Sequence, residues 1–398
     1  MSSLFDIGRS GLQSYRRALS VTGQNIANVN TDGYKRREAE LKEVSAGQGD
    51  IYSVSSNSGL GVRVSDIKRS FDEFLLNKSR NAGSNAETST AYLTALQQLQ
   101  DVLVPGEGNI GTALESFFAS LHDISNVPAE MGPRVVAMER GRAVADAFNG
   151  LAHSISALKS GLLTQTSQSL DDLNALTEGL LNVNLQLTKA DAGASKSLLD
   201  SRDMLIDKIS QFVEVNTSVD RQGRATLRLG NSMAGPKIVD GAKKYAVRMD
   251  ALDNKIIFKV GAQGAEAVTN HVAAGRLAGL EQGYLAAFET AGKIDDLAHL
   301  VVRDLNAVHR KGVTLDGELG GDLFVARRPI VDFGVTNVGQ AYAEVDVEDM
   351  ALIEPQKVTF TYNANQKTWV GRDDFGETVA SGGSSVSLPG MTVRFIGE

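Results

Sequence analysis

The sequence predicts an α+β protein, elongated and multidomain, in which helices and β-rich segments alternate along the chain. Two patterns support this fold class. Apolar residues recur every three or four positions over long stretches, as on one face of an amphipathic helix, and shorter stretches alternate apolar and polar residues, as in half-buried strands. The length of 398 residues allows about two to four domains, and a hydrophobic content of 42% is enough for a sizeable core.

The order of these patterns divides the chain into five segments. Residues 1–70 hold an N-terminal amphipathic helix followed by a short β segment, and residues 71–213 form a long helical bundle domain. Residues 214–279 are a β-rich insertion, residues 280–329 the return helix of the bundle, and residues 330–398 a second β-rich region that looks truncated. Because the insertion separates helices, we expect those helices to pair across it and the β-rich regions to lie outside the bundle.

The bundle and the insertion carry the clearest periodicity. In the insertion, alternating residues predict strands on both sides of a turn at 221–224, with further strands at 238–247, 255–260 and 269–272. In the bundle, alternating spacings of three and four predict a seam of the coiled-coil type. The seam consists of Leu163, Thr166, Leu170, Leu173, Thr177, Leu180, Asn184 and Leu187.

The first helix begins close to the N-terminus and has an apolar stripe. The stripe contains Leu4, Ile7, Gly11, Tyr15, Ala18, Val21 and Ile26. Such a stripe must be buried against another surface. Packing inside its own domain is the common outcome, but the position at a terminus is notable, because termini are usually frayed unless they are tied down.

Composition excludes several classes of function. Forty basic against forty-eight acidic residues give a net charge of −8, unlike the basic excess of a general nucleic-acid binder. No apolar run approaches the length of a membrane-spanning helix, and residues 1–10 lack the basic segment of a cleavable signal peptide. The chain has no cysteine, which excludes disulfides and thiolate metal sites.

Two small basic clusters flank the β segment. They are Lys35, Arg36 and Arg37, and then Lys68 and Arg69. A nucleic-acid site would have more aromatic residues between the basic ones. We interpret both clusters as protein-interface or solvent-facing charge.

Motifs that could carry chemistry are weak. Gly106, Gly108 and Gly111 fit the spacing of a dinucleotide-binding loop, but a helix rather than a strand is predicted before them, so we expect a loop between helices. Ser156 and Lys159 fit the spacing of a serine nucleophile and its lysine base, without the other motifs of such a site. No histidines pair at helical metal-ligand spacing. We therefore predict no enzyme, no cofactor and no metal, with a nucleotide-binding enzyme as a less favoured alternative.

Residues 25–38, NIANVNTDGYKRRE, join the first helix to the β segment through an Asn-rich turn. This block resembles the N-terminal signature of the flagellar axial proteins, which are the rod, hook and hook-associated proteins. The signature positions are Asn25, Asn28, Asn30, Thr31, Gly33 and Tyr34. Asn and Gly tolerate turn conformations best, so we expect these residues to shape the turn out of the helix.

Further segments resemble the hook–filament junction members of the same family. Residues 197–215 are similar to a helix with the pattern LLDxRD, here Leu198, Leu199, Asp200, Arg202 and Asp203. Residues 59–71, 113–149, 275–280 and 306–324 also resemble parts of these proteins. The LLDxRD helix and the GGDLF segment lie outside the block that rod and hook proteins share, and this makes the resemblance specific.

The resemblance implies a structural role rather than catalysis. Such proteins leave the cell through the flagellar type III export apparatus, with an export chaperone, and polymerise at the distal hook end as an adaptor between hook and filament. The expected partners are further copies of the chain, the hook protein and the second junction protein, with no nucleic acid and no membrane. The expected location is the extracellular flagellum. A hook or distal-rod subunit is the alternative.

The resemblance also assigns the first helix to the inner tube of the flagellum. The assembly interface, buried between subunits, is then expected at Leu4, Ile7, Leu12, Tyr15, Leu19 and Ile26. Proteins of this family end in a long amphipathic helix that pairs with the first one, whereas residues 395–398 lie in a β pattern. We therefore expect either a truncated chain or a short gene product.

Overall fold

The computed structural model of the protein is α+β, as predicted, with long helices and small antiparallel sheets. The structure describes residues 4–31, 33–44, 61–70, 72–104, 109–189, 195–252, 255–262, 265–325, 329, 331, 341–348, 352–353, 357–373 and 376–397.

The described residues form six helices. They are α1 (Leu4–Ala27), α2 (Glu73–Leu103), α3 (Ile110–Asn126), α4 (Met131–Lys189), α5 (Ser195–Phe212) and α6 (Arg276–His309). Helices were predicted in all six places. The last one begins earlier than the spacing indicated, directly after Gly275, which has a φ of +98°. A side chain there would lie 2.4 Å from the Phe212 carbonyl oxygen, so this turn requires glycine.

The strands before α6 form one hairpin and two small antiparallel sheets. The hairpin is β1 (Arg37–Glu43) with β2 (Val62–Arg69). One sheet contains β3 (Val215–Val219), β4 (Ala225–Leu229), β5 (Lys237–Asp240) and β6 (Lys243–Lys244), and the other β7 (Ala246–Leu252), β8 (Lys255–Ala262) and β9 (Ala265–Thr269). The strand prediction for 269–272 was wrong, because β9 ends at Thr269 and the chain continues to α6 with Val272 and Ala274 buried.

The strands after α6 form two further antiparallel sheets. One has the order β10 (Tyr342–Val347), β15 (Met391–Ile396), β14 (Ser385–Leu388), and the other β11 (Thr359–Asn363), β12 (Thr368–Arg372), β13 (Thr378–Gly382). The Trp369 ring stacks on Phe395, with ring centres 4.1 Å apart, so an aromatic contact joins a strand of each sheet.

The chain divides into two compact units. Unit 1 contains residues 1–93, 164–250 and 256–282, and unit 2 contains residues 94–163, 251–255 and 283–398. Several helices contribute residues to both units. The five-segment division drawn from the sequence stays a prediction.

In unit 1 the predicted seam of α4 is buried. Buried positions are Thr166, Leu170, Leu173, Thr177, Leu180, Asn184 and Leu187, and Leu163 is half-buried. The two amide atoms of Asn184 bond to the backbone of the sheet: Oδ1 accepts from Ala225 N at 2.9 Å, and Nδ2 donates to the carbonyls of Ala225 (2.9 Å) and Gly241 (2.8 Å). Asn174 pairs in the same way with the N–H and C=O of Val247. The bonds of Asn184 explain why an asparagine occupies this position of the seam.

In unit 2 the core forms where α3, α4 and α6 meet. Phe117, Val144 and Phe148 are buried, and side chains of α6 such as Val301 and Leu305 pack against them. The Lys159 ammonium lies 4.9 Å from the centre of the Phe288 ring. This contact accounts for Lys159 without a catalytic role.

Helices α2 and α6 approach each other closely at Gly283. A Cβ atom at this position would lie 2.3 Å from the Cβ of Ala95, a distance that real Cβ atoms essentially never show. Small residues on both helices are therefore what permits the contact.

We expect Gly283→Ala to destabilise the protein, although alanine is favoured over glycine in helices by about 1 kcal/mol. The added methyl group overpacks the crossing, which costs about 1–3 kcal/mol. Urea denaturation measures the change. Gly292→Ala, in the same helix with open space around it, is the matched control and should be neutral or stabilising. Equal stability of the two variants would contradict the prediction, and Ala95→Gly should rescue Gly283→Ala.

Glu214, between α5 and β3, is buried, and its backbone N–H donates to the Ala274 carbonyl at 3.0 Å. Burial raises the pKa of this carboxyl above its ordinary value, because the charged form loses hydration.

The raised pKa of Glu214 predicts a pH-dependent stability. The folded state binds the proton more tightly than the unfolded state, so this group costs stability as the pH rises from its ordinary pKa through the raised one. Glu214→Gln, which imitates the protonated form, should therefore raise the melting temperature at pH 7.5 and leave it nearly unchanged at pH 4. A variant with the same gain at both pH values would disprove the assignment.

Candidate assembly interface

One face of α1 packs on the hairpin β1–β2. Ser14 and Val21 are the buried residues of this helix. The Ser14 hydroxyl donates to the Val62 carbonyl at 2.8 Å, and the Ser10 hydroxyl accepts from the Val62 N–H at 3.2 Å. Ile7 lies on this side and is half-buried. These contacts fix which face of the helix points away from the hairpin.

The other face of α1 is apolar and open. Of the six predicted interface residues, five are exposed: Leu4 by 89%, Leu12 by 77%, Tyr15 by 61%, Leu19 by 71% and Ile26 by 69%. A contiguous exposed apolar surface of this kind marks an interaction site in soluble proteins. The single stripe seen in the sequence is therefore two adjacent faces, one packed inside the chain and one available to another chain.

Two exposed residues extend this open face beyond the prediction. Phe5 (76% exposed) precedes Leu12, Leu19 and Ile26 at intervals of seven residues, and Val29 is also exposed. Seven-residue spacing is the repeat with which helices pack side by side in coiled coils. The heptad spacing was visible in the sequence and would have identified Phe5. We call Leu4, Phe5, Leu12, Tyr15, Leu19 and Ile26 the open face.

Asn25 closes the turn between α1 and β1. Its Oδ1 accepts from the Arg37 N–H (2.9 Å) and from the Tyr34 hydroxyl (2.9 Å), while its Nδ2 donates to the Arg37 carbonyl (2.8 Å). One side chain thus pairs with both backbone groups of the first strand residue. This gives a physical role to two positions of the axial signature.

The other signature residues shape the turn itself. Asn28 Nδ2 donates to the Gln24 carbonyl at 2.9 Å, and the Thr31 hydroxyl donates to Asn28 Oδ1 at 3.2 Å. Gly33 has a φ of +76°, and a Cβ atom there would lie 3.1 Å from Met204 of α5. Asn30 is exposed. Glycine at position 33 therefore serves both the turn and the approach to α5.

The LLDxRD motif of α5 forms ion pairs with two arginines of the hairpin. The Arg37 guanidinium is 3.2 Å from an Asp200 oxygen, the Arg69 Nε is 2.8 Å from the other Asp200 oxygen, and Arg69 also pairs with Asp203. Arg202 binds the second oxygen of Asp203 at 2.6 Å. We call these five side chains the ionic joint.

The ionic joint corrects the interpretation of the basic clusters. The side chains of Arg37 and Arg69 are only 18% and 5% exposed, so neither faces solvent as free charge. Lys35 and Lys68 lie beside them in the sequence, and Lys68 pairs with Glu40 on the hairpin surface at 2.9 Å. The leucines of the motif, Leu198 and Leu199, are half-buried on α5.

The alternative chemical sites are not assembled in the described part of the chain. Gly106 and Gly108 lie outside the described residues, Gly111 is in the first turn of α3, and the element before this loop is helix α2, not a strand. Among described residues, no group of three or more His, Asp or Glu side chains is placed to hold a metal ion. None of the described helices combines the length and apolar character needed to cross a membrane.

Comparison with known proteins first identifies the class, a structural protein of the flagellum. Residues 5–35, which contain the open face except Leu4 and all six signature positions, match the family described as "Flagella basal body rod protein". Residues 96–324 match "Flagellar hook-associated protein FlgK helical domain", which is more than half of the chain. The chain belongs to the FlgK family of flagellar hook-associated proteins.

Individual relatives agree with this family. "Flagellar hook-associated protein 1" of Bacillus subtilis (strain 168) is 29% identical over 358 residues, which cover 81% of this chain and 71% of the relative. The Escherichia coli (strain K12) protein of the same name is 24% identical over 412 residues, covering 100% of this chain and 74% of the relative.

A solved structure has the same fold. It is "the flagellar hook junction protein FlgK from Burkholderia pseudomallei", with a TM-score of 0.67 and 22% sequence identity. The match covers 81% of this chain and 60% of that one, so this chain spans less than two thirds of the solved protein.

We expect Asn25→Ala to loosen the start of β1. The substitution leaves the Arg37 N–H and C=O without their partner, and each unpaired buried group costs about 1–3 kcal/mol. Hydrogen exchange of peptides containing residue 37 should accelerate about tenfold or more, since 1.4 kcal/mol corresponds to a factor of ten. Asn30→Ala, in the same turn but exposed, is the control. Similar exchange in both variants would contradict the assigned role of Asn25.

Proposed function

We propose that this protein is a subunit of the bacterial flagellum that joins the hook to the filament. The observation that carries the proposal is the open face of α1, in a chain of the FlgK family. A helix that leaves Leu12, Leu19 and Ile26 in water is incomplete as a monomer. Burial of each large aliphatic side chain between subunits contributes about 1.5–3 kcal/mol, which is enough in sum to hold a polymer together.

The proposed partners follow from this position. Neighbouring copies of the chain would cover the open face, the hook protein would lie on one side and the second junction protein on the other. We propose that the chain reaches this place through the type III export apparatus with its chaperone and acts extracellularly. The absence of cysteine suits a chain that is exported unfolded.

Two alternatives have less support. A hook or distal-rod subunit would also carry the block at residues 5–35, but the family match over residues 96–324 favours the junction. Immunogold labelling of isolated flagella would distinguish the two positions. A nucleotide-binding enzyme has no supporting observation beyond the glycine spacing, and equilibrium dialysis with dinucleotides would detect any binding.

We expect Leu12→Asp and Leu19→Asp each to abolish incorporation into flagella, while the rest of the chain stays folded. The reason is that a carboxylate on the open face cannot be buried between helices without a partner. The measurement is the amount of protein in purified hooks, together with swimming motility. Gln13→Asp and Ser20→Asp place the same charge on exposed polar positions of α1 and are the matched controls. Normal incorporation of the leucine variants would refute the interface.

A further inference from the structure

The hairpin β1–β2 is attached to α5 mainly by charge. No residue of either strand is fully buried as a whole. The side chain of Arg69, in contrast, is 5% exposed, and its Asp203 partner is 3% exposed. Ion pairs that water scarcely reaches are therefore part of the contact across this surface.

The two arginines of the ionic joint face each other in the hairpin. Arg37 lies directly opposite Arg69 in the antiparallel register. Like charges at opposite positions repel each other and destabilise a two-stranded pair. Asp200 pairs with both arginines, one at each carboxylate oxygen, and so removes this repulsion.

Asp203 is itself held in place by arginines of α2 and α5. Arg202 binds Asp203 in two places, through Nε at 2.9 Å and Nη2 at 2.6 Å. Arg80 of α2 pairs with Asp207 at 2.6 Å and donates to the Asp203 carbonyl at 3.4 Å. The Asp203 carboxylate is thus a fixed acceptor once α5 is folded on its neighbours, and Asp200 precedes it by three residues on the same helix.

Buried ion pairs behave asymmetrically. A complete pair contributes little net stability, but removal of one partner leaves an uncompensated charge in a dry site and is strongly destabilising. We therefore expect the contact between the hairpin and α5 either to form with all of its ion pairs or to separate completely. Apart from the packing of α1 on it, the hairpin has little stability of its own, because isolated two-stranded hairpins are marginal in water.

We propose that Asp200 and Asp203 are positioning residues that hold the N-terminal block, residues 4–44 and 61–70, as a separately openable part of unit 1. The N-terminal block docks on α5 when both carboxylates are present. When one carboxylate is removed, the block separates from α5, and the rest of the unit stays folded. Because α1 packs on this hairpin, the ionic joint sets the direction in which the open face is presented. The consequence for assembly rests on the proposed function; the docking itself does not.

Hydrogen exchange of the full chain tests the docking. Asp200→Asn should accelerate exchange of β1 and β2 at least tenfold and leave β3–β5 and α6 within twofold of the parent. Adding Arg37→Gln removes one of the facing charges, and the double variant should exchange more slowly in β2 than Asp200→Asn alone. Helix or packing damage at position 200 would not be relieved by a change in the hairpin.

A matched control lies on the same surface. Asp66 of β2 pairs with Lys196 of α5 at 3.1 Å, but its side chain is 60% exposed. Asp66→Asn removes one carboxylate from the same contact and should change exchange of the hairpin by less than threefold, because exposed ion pairs contribute little.

Three results would overturn the docking proposal. They are unchanged exchange in β1 and β2 after Asp200→Asn, an equal acceleration throughout the chain, or no relief by Arg37→Gln. If Asp200→Asn does not fold at all, the double variant decides the question. A double variant that folds supports the proposal, and one that does not fold overturns it.

Incorporation into hooks separates this inference from the proposed function. We expect Asp200→Asn to incorporate poorly, as Leu12→Asp does. If Asp200→Asn is incorporated normally while Leu12→Asp is not incorporated into hooks, the positioning role is refuted and the proposed function stays intact. Normal incorporation of both variants, with the hairpin open in Asp200→Asn, would refute the proposed function and leave the docking intact.

Discussion

The pairing of Asp200 with Arg37 and Arg69 connects parts of the chain that are far apart in sequence. In water these three charges would interact weakly, but in a site that excludes solvent each one requires its partner. The basic residues after the first helix and the LLDxRD pattern are therefore halves of one structure. The same region contains the closure of the α1 turn by Asn25 and the approach of Gly33 to Met204 of α5.

The apolar character of α1 has two separate causes. Val21 is apolar because the helix must pack on its own hairpin, whereas Leu12 and Leu19 remain in water within this chain. Few soluble monomers keep such a surface, since it promotes association. A helix with this surface is consequently suited to association with another chain.

Local spacing was sufficient to predict the helices and the α4 seam, because residues three and four positions apart share one face of a helix. The ionic joint could not be predicted, since no local pattern indicates that position 37 meets position 200. The sequence prediction did not separate the two faces of α1, because Ile7 and Val21 of the packed face recur among the apolar residues of the open face at helical spacing. The contact of Gly283 with Ala95 depends on how two helices cross, which a single helix sequence does not encode.

The asparagines of α4 have a mechanical consequence. Asn174 and Asn184 are ten residues apart, about 15 Å along the helix. Each forms hydrogen bonds through both amide atoms to backbone groups of a neighbouring strand. A helix bonded at one position could still rotate about that position, whereas bonds at two positions restrain both rotation and translation. Any axial slip or twist of this helix must break the bonds at both positions together. Two polar side chains thus restrain this part of the longest helix of the described chain.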